Sequence, residues 1–287
     1  MTRFSKLSAL TLFAALASLS AAQITITGIG PFNSWGLEGD PNNFAATVTN
    51  FQPSNLYGNF QFEGDLTAVA PGTFISDSAW TINNTTLNGG FTFTGAGNAY
   101  TSDHVSVGGG GLFWINQNDN LHFEANQLSD NDPVGNDAFW NNVSFAWSGA
   151  PVVTNIGVYN AANPFSFTTA GSNFDTEIAL FDAKGKLIGM NDDVSPSNLT
   201  SALNFATLAG GTYYVTATGY QAYFDNGIAL GGFTEGNLKV NVNGSNVFTG
   251  AQVGDALHTF SFTVVPEPAS IAAVGLGLAL LVRRRKK

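Results

Sequence analysis

Aromatic or aliphatic residues alternate with polar ones in short runs along the chain, as at residues 59–63 (NFQFE), 90–94 (GFTFT) and 143–147 (VSFAW). A period of two sends one set of side chains into a core and the other into solvent, so each run reads as a half-buried strand. Clusters of Asn, Asp and Gly separate the runs and supply turns. Between residues 23 and 264 no stretch carries the period of a long amphipathic helix. Many short strands joined this way predict an all-β protein built as β-sandwiches or jelly rolls. Gly149 and Pro151 punctuate the chain just after the run that ends at Trp147. The pattern therefore predicts two β domains, residues 23–150 and 151–264.

Composition agrees with this picture. The 287 residues include 33 Gly and 24 Phe, and only 10% are charged, which suits strands, tight turns and sizeable apolar cores. There is no cysteine, which removes disulfides, thiolate metal sites and cysteine nucleophiles. In an exported protein that absence points to a bacterial product whose cores stand without cross-links. Charge is segregated: between residues 23 and 264, 19 acidic residues face three lysines (Lys184, Lys186 and Lys239), a formal charge of −16. Such a surface repels phosphate backbones, which argues against nucleic acid as a partner, and it attracts divalent cations.

The two ends carry addresses. Arg3 and Lys6, an apolar stretch at 7–19 and the small residues Ser20, Ala21 and Ala22 form the three-part layout of a secretory signal peptide. A helical leader at residues 1–22, removed by signal peptidase after Ala22, is expected. At the other end stand Val265, Pro266, Glu267 and Pro268, then an uncharged stretch at 269–282, then Arg283, Arg284, Arg285, Lys286 and Lys287. As a helix the uncharged stretch rises only about 21 Å against a hydrocarbon core of about 30 Å, so it forms a short, strained transmembrane span. The terminal cations would hold its end in the cytoplasm. In motif, order and position, residues 265–287 resemble a PEP-CTERM sorting signal. The resemblance implies processing by an exosortase, a membrane-embedded transpeptidase-like enzyme. It also implies transient anchoring in the cytoplasmic membrane and delivery to the cell envelope, the surface or the extracellular polysaccharide matrix. A simple tail anchor is the competing reading.

In the second domain, residues 174–193 (FDTEIALFDAKGKLIGMNDD) and 203–220 (LNFATLAGGTYYVTATGY) predict a hairpin turning at 182–185 and a further strand after Gly210 and Gly211. With their Asp-Thr start, Leu-Phe-Asp turn, Asn-Asp-Asp segment and Gly-Thr-Tyr-Tyr strand, they resemble the bacterial pre-peptidase C-terminal (PPC) domain. That resemblance implies a small accessory β-sandwich without catalysis.

Candidate chemistry is sparse. Asp175, Asp182, Asp192 and Asp193 offer hard oxygen ligands for calcium, against the plainer reading that they serve turns. Residues 129–137 (SDNDPVGND) have some spacing of an EF-hand loop but place Val134 where a ligand belongs. Glu63 and Asp65 share one face of a strand and form a candidate acid–base pair for glycosides, if a cleft raises one pKa. His104, His122 and His258 have no ligand spacing, and no Gly-x-Ser-x-Gly elbow is present. All five tryptophans lie in the first domain; among them Trp80, Trp114 and Trp140 are candidate stacking surfaces for sugar rings, with core packing as the alternative. Together these features predict a non-enzymatic exported protein of the envelope or matrix with a structural, adhesive or polysaccharide-associated role. The alternative is a secreted glycan-active enzyme or carbohydrate-binding protein with its site in the first domain.

Overall fold

A computed structural model describes residues 14–16, 23–51, 55–69, 74–95, 102–129 and 135–266. Apart from one 3-10 turn (Ile75–Asp77), every regular element among them is a strand. The chain divides into two compact units: unit one holds residues 1–151 and 225–228, and unit two holds 152–224 and 229–287. Four residues from far along the chain thus join the first unit.

The first ten strands are β1 (Ala14–Leu16), β2 (Gln23–Gly28), β3 (Phe32–Ser34), β4 (Phe44–Val48), β5 (Asn55–Ala68), β6 (Ser78–Asn84), β7 (Gly89–Thr94), β8 (Asp103–Ile115), β9 (Leu121–Gln127) and β10 (Ala138–Ser148). One sheet of unit one runs β1-β2-β10-β5-β8, with β3 also paired to β10, and a second runs β4-β9-β6-β7. The alternation in β5 works as the pattern requires: Phe60, Phe62 and Leu66 are buried, while Asn59, Gln61 and Glu63 are exposed. In β10 the buried set switches from Ala138 and Trp140 to Val143, Phe145 and Trp147. A bulge causes the switch. Asn142 and Val143 together oppose Gly64, and Asn142 takes φ 51°, so one extra residue returns the odd positions to the core. Gly64 is required there, because a Cβ would lie 2.8 Å from the Phe62 ring and 3.2 Å from Val143 Cγ1.

Aromatic rings fill the space between these sheets. Trp80 of β6 meets Phe145 of β10 with centroids 5.0 Å apart, Phe123 of β9 meets Phe145 at 4.9 Å, and Phe62 meets Phe93 at 4.9 Å. Such pairs each contribute about 0.5–1.5 kcal/mol beyond the area they bury.

The remaining strands are β11 (Val153–Asn160), β12 (Phe165–Thr168), β13 (Thr176–Asp182), β14 (Leu187–Asn191), β15 (Ala202–Phe205), β16 (Gly211–Gly219), β17 (Tyr223–Asp225), β18 (Ile228–Leu230), β19 (Gly236–Val242), β20 (Ser245–Gln252) and β21 (His258–Val265). Unit two is a sandwich of a five-stranded sheet, β11-β21-β16-β13-β14, and a four-stranded sheet, β15-β12-β19-β20. Its core takes Ile178 and Leu180 from β13, Val215 and Ala217 from β16, Phe260 and Phe262 from β21, and Phe165, Phe167, Leu238 and Val240 from the facing sheet. The Phe165 and Phe262 rings stack at 4.3 Å. The predicted hairpin is β13–β14, with Asp182 at its turn.

Residues 225–228 complete the β8 side of unit one. Trp114 N donates to Gly227 O at 2.9 Å, and Gly90 N donates to Asp225 Oδ2 at 3.1 Å. Within the expected leader, Ala14–Leu16 form a strand against β2 instead of a helix, which satisfies backbone groups along that edge. The rest of residues 1–22 lies outside the described residues. So do Glu267, Pro268, the apolar stretch and the basic end, and with them the expected transmembrane helix. Among the described residues no helix is long and apolar enough to cross a membrane.

A Cβ on Gly89 would lie 2.3 Å from the Asn226 carbonyl oxygen, so Gly89→Ala must push residues 225–228 away from β7. The expected cost is about 1–3 kcal/mol. Urea unfolding followed by tryptophan fluorescence checks it; an unchanged midpoint would contradict this role for the segment.

Candidate metal centre

Asp175 immediately precedes β13, and Asp192 and Asp193 immediately follow β14. The two strands pair antiparallel with Ile178 opposite Asn191. The start of one is therefore beside the end of the other, and residues 17 or more apart in sequence meet. One carboxylate oxygen from each of Asp175, Asp192 and Asp193 lies within 4.8 Å of the others. Calcium binds oxygen at about 2.3–2.6 Å, so ligands on opposite sides of the ion stand roughly 4.8 Å apart. The trio has the size of one calcium shell.

Neighbouring polar groups hold this loop in place. Asn191 Nδ2 donates to Asp193 O at 3.2 Å, and Ala202 N donates to Asn191 Oδ1 at 2.8 Å. The buried Ser201 hydroxyl lies between the Thr176 and Asp192 carbonyls. Beneath it, the Thr169 and Thr176 hydroxyls are 2.6 Å apart, and Ser201 N donates to Thr169 Oγ1 at 2.8 Å. The carboxylates are less well served. Asp175 Oδ1 and Asp193 Oδ1 are shielded from solvent and accept no hydrogen bond.

Electrostatics express the same deficit. Burial raises the Asp175 pKa, and the Asp193 and Asp192 charges raise it further. Asp192 is raised by burial and by Asp193. Glu177, two residues into the same strand, is raised by burial and by Asp192 and Asp175, against hydrogen bonds from the Gln221 and Ala222 backbone. Like charges crowded together resist ionisation, and a bound cation would relieve them.

Asp182 is not part of this group. It sits at the opposite end of β13, where its Oδ1 accepts from Lys184 N at 2.8 Å and Lys186 N at 3.0 Å, and so serves its own turn. Trp80, Trp114 and Trp140 are 0%, 3% and 1% exposed, which corrects the expectation of stacking surfaces. Trp80 and Trp140 are directed between the sheets, where they meet Phe145 and Phe62, and Trp114 is buried on β8. A cavity of about 30 Å³ in unit one, lined by Ile82, Phe91, Phe113, Trp114 and Gly227, has room for a water or two and not for a sugar ring.

Glu63 and Asp65 do share a face of β5, but Asp65 is held low by hydrogen bonds from Asn142 and His104. The His104 Nδ1 contact is 2.8 Å. A general acid needs the opposite shift. Glu124 is buried and accepts from Gly39 N at 2.7 Å and Asn43 Nδ2 at 2.8 Å, so it braces a loop. Of the EF-hand-like stretch, residues 130–134 lie outside the described residues. Val265 is the last residue of β21, opposite Asn160 of β11, and its carbonyl accepts from Ala161 N at 2.9 Å. Pro266 follows it directly.

Sequence reasoning missed Glu177 and Ser201. Glu177 was visible two positions from Asp175, whereas Ser201 reaches the site from 25 residues along the chain and leaves no local signal.

The raised carboxylates bind protons more tightly in the folded chain than in the unfolded one. Their contribution to stability is therefore complete below the ordinary carboxylate range, about 4, and is lost as pH rises through the raised values. In chelator, Asp192→Asn is expected to raise the melting temperature at pH 7, by the equivalent of less than about 1 kcal/mol after solvent screening, and to leave it unchanged at pH 3. Scanning calorimetry at both pH values checks this, and a variant less stable at pH 7 would contradict it.

No curated protein matches this chain. Among solved structures, a chain in the crystal structure of dimeric latent PorU from Porphyromonas gingivalis aligns with 9% identity and a TM-score of 0.29, over 66% of this chain. The chain spans only 19% of that protein's length. Residues 264–286 match the PEP-CTERM protein-sorting motif, which implies an exported, envelope-associated protein handled by an exosortase.

Proposed function

We propose that the protein is a non-enzymatic component of the cell surface or extracellular matrix, delivered by its C-terminal signal and acting there as a structural, adhesive or polysaccharide-associated body. The sorting motif at residues 264–286 carries this reading. It follows the body without a spacer, since Val265 still belongs to β21. The strongly acidic, cysteine-free body suits an extracellular polymer setting in which phosphate-rich partners are repelled. Signal peptidase and exosortase are the processing partners on this reading, and the short apolar stretch holds the chain in the cytoplasmic membrane only until transfer. We also read unit two as a PPC-like accessory domain, on the strength of its sandwich architecture and the hairpin formed by residues 174–193.

The glycan-active alternative placed its site in the first domain. It loses support there: the three tryptophans that motivated it are buried, and Asp65 titrates in the wrong direction for an acid.

Calcium is a second element of the proposal. Asp175, Asp192 and Asp193 would supply the ligands, favoured by two oxygens that have neither solvent nor a donor. Bound there, the ion would clamp the start of β13 to the loop after β14.

Two experiments test these readings. Deleting residues 265–287 from an epitope-tagged chain is expected to abolish retention in the surface and matrix fractions; retention equal to that of the intact protein would refute the sorting role. Calcium at a hundred times its dissociation constant is expected to stabilise the protein by about 2.7 kcal/mol, seen as a rise in melting temperature. Asp175→Asn should remove the rise and Asp182→Asn should keep it. A chelator-insensitive melting temperature would eliminate the ion.

A further inference from the structure

Two segments of unit two cross with their backbones in contact. A Cβ on Gly232 would lie 2.0 Å from the Gly219 carbonyl oxygen and 2.3 Å from that of Tyr220, and a Cβ on Gly219 would lie 2.3 Å from the Thr234 carbonyl oxygen. Only glycine permits that approach. The crossing sets two aromatic residues side by side in the chain path, with Phe233 N donating to Tyr220 O at 2.9 Å. Tyr220 N donates to Thr234 Oγ1 at 2.7 Å, and Thr234 Oγ1 donates to Asp175 O at 2.6 Å. Gln221, in the left-handed region at φ 68°, donates its N–H to Glu177 Oε1 at 2.8 Å. One hydrogen-bonded platform thus carries Tyr220 and Phe233 and ties them to two of the crowded carboxylate residues.

The two rings are not used by the core. Phe233 is 67% exposed and Tyr220 41%, so both leave apolar area in water at a cost that burial would avoid. Next to Tyr220 in the chain, Gln221 N is held by Glu177, whose carboxylate accepts hydrogen bonds and donates none when ionised. A partner that complements this surface needs flat apolar faces and many O–H donors. It must also carry no negative charge, because the body bears −16. Pyranose rings have apolar C–H faces edged with hydroxyls, and polymers of neutral sugars meet all three conditions.

We propose that the Tyr220–Phe233 ledge of unit two binds a neutral polysaccharide, with sugar rings packed on the two aromatic side chains and sugar hydroxyls donating to Glu177. The inference rests on the reading that the protein works among extracellular polysaccharides, and it moves the recognition surface from the first domain to the second.

Affinity electrophoresis of the full-length chain in mild detergent tests it, with hydroxyethyl cellulose, galactomannan and dextran as neutral probes and alginate as the anionic one. At least one neutral polymer is expected to retard the protein. Phe233→Ala and Tyr220→Ala should each weaken that binding roughly three- to tenfold, with an unchanged melting temperature because both side chains are exposed. Leu37→Ala, which alters an exposed apolar residue of unit one, should have no effect. Retardation by alginate alone, no retardation by any neutral polymer, or full binding by both aromatic variants would overturn the proposal. So would light scattering that shows the intact chain self-associating and the Phe233→Ala chain monomeric, since the ledge would then serve a second copy. Tail deletion alters sorting without touching the ledge, so a protein that sorts normally but binds no neutral polymer refutes this inference alone.

Discussion

Two sheets pack face to face only if every strand sends alternate side chains into the space between them, and both units of this protein obey that constraint. It decides where the large side chains go. In unit one the gap is filled by Phe62, Trp80, Phe123, Trp140, Phe145 and Trp147, all at 2% exposure or less. A Trp on an inward position has no second role open to it, because withdrawing it would leave a cavity at the centre of the ring cluster, at a cost of about 3–5 kcal/mol. The same constraint explains the bulge at Asn142. Without one extra residue, the positions buried before it and those buried after it could not share a face.

Strand pairing also crowds like charges together. The β13–β14 register sets three aspartates around one point, and the buried Thr169, Thr176 and Ser201 hydroxyls bond to one another and to the backbone instead of to the carboxylates. A cation bound among them would relieve that repulsion.

The strands were legible in the chain because period two is a local signal. Residues 59–63 and 143–147 fall inside β5 and β10, and the hairpin at 182–185 turns where Asp182 predicts it. The return of residues 225–228 to unit one was not legible, since the pairing of Trp114 with Gly227 spans more than a hundred residues and depends on the bare backbone of Gly89. At the candidate site, a pair of adjacent aspartates and one earlier Asp-Thr could be read as ligands. Asp182 looked equivalent to them in sequence and differs only because it sits at the other end of the same strand. Tryptophan misled for a related reason: its residue type suits both a core and a sugar surface, and only the inward or outward parity of its strand separates the two.

The junction with the sorting signal imposes a last physical condition. Val265 is held on its β11 side, in register with Asn160 and accepting from Ala161 N, and the matched motif, residues 264–286, already includes it. β21 lies between β11 and β16 in the sheet, so its end cannot be drawn out without breaking ladder bonds to both neighbours. A processing enzyme that acts at the motif therefore meets a chain whose folded body reaches Val265. Proline at 266 limits the conflict, because it has no N–H to extend the ladder and ends the strand there. The first proline of the motif thus does a structural job as well: it stops the sheet at the start of the sorting signal.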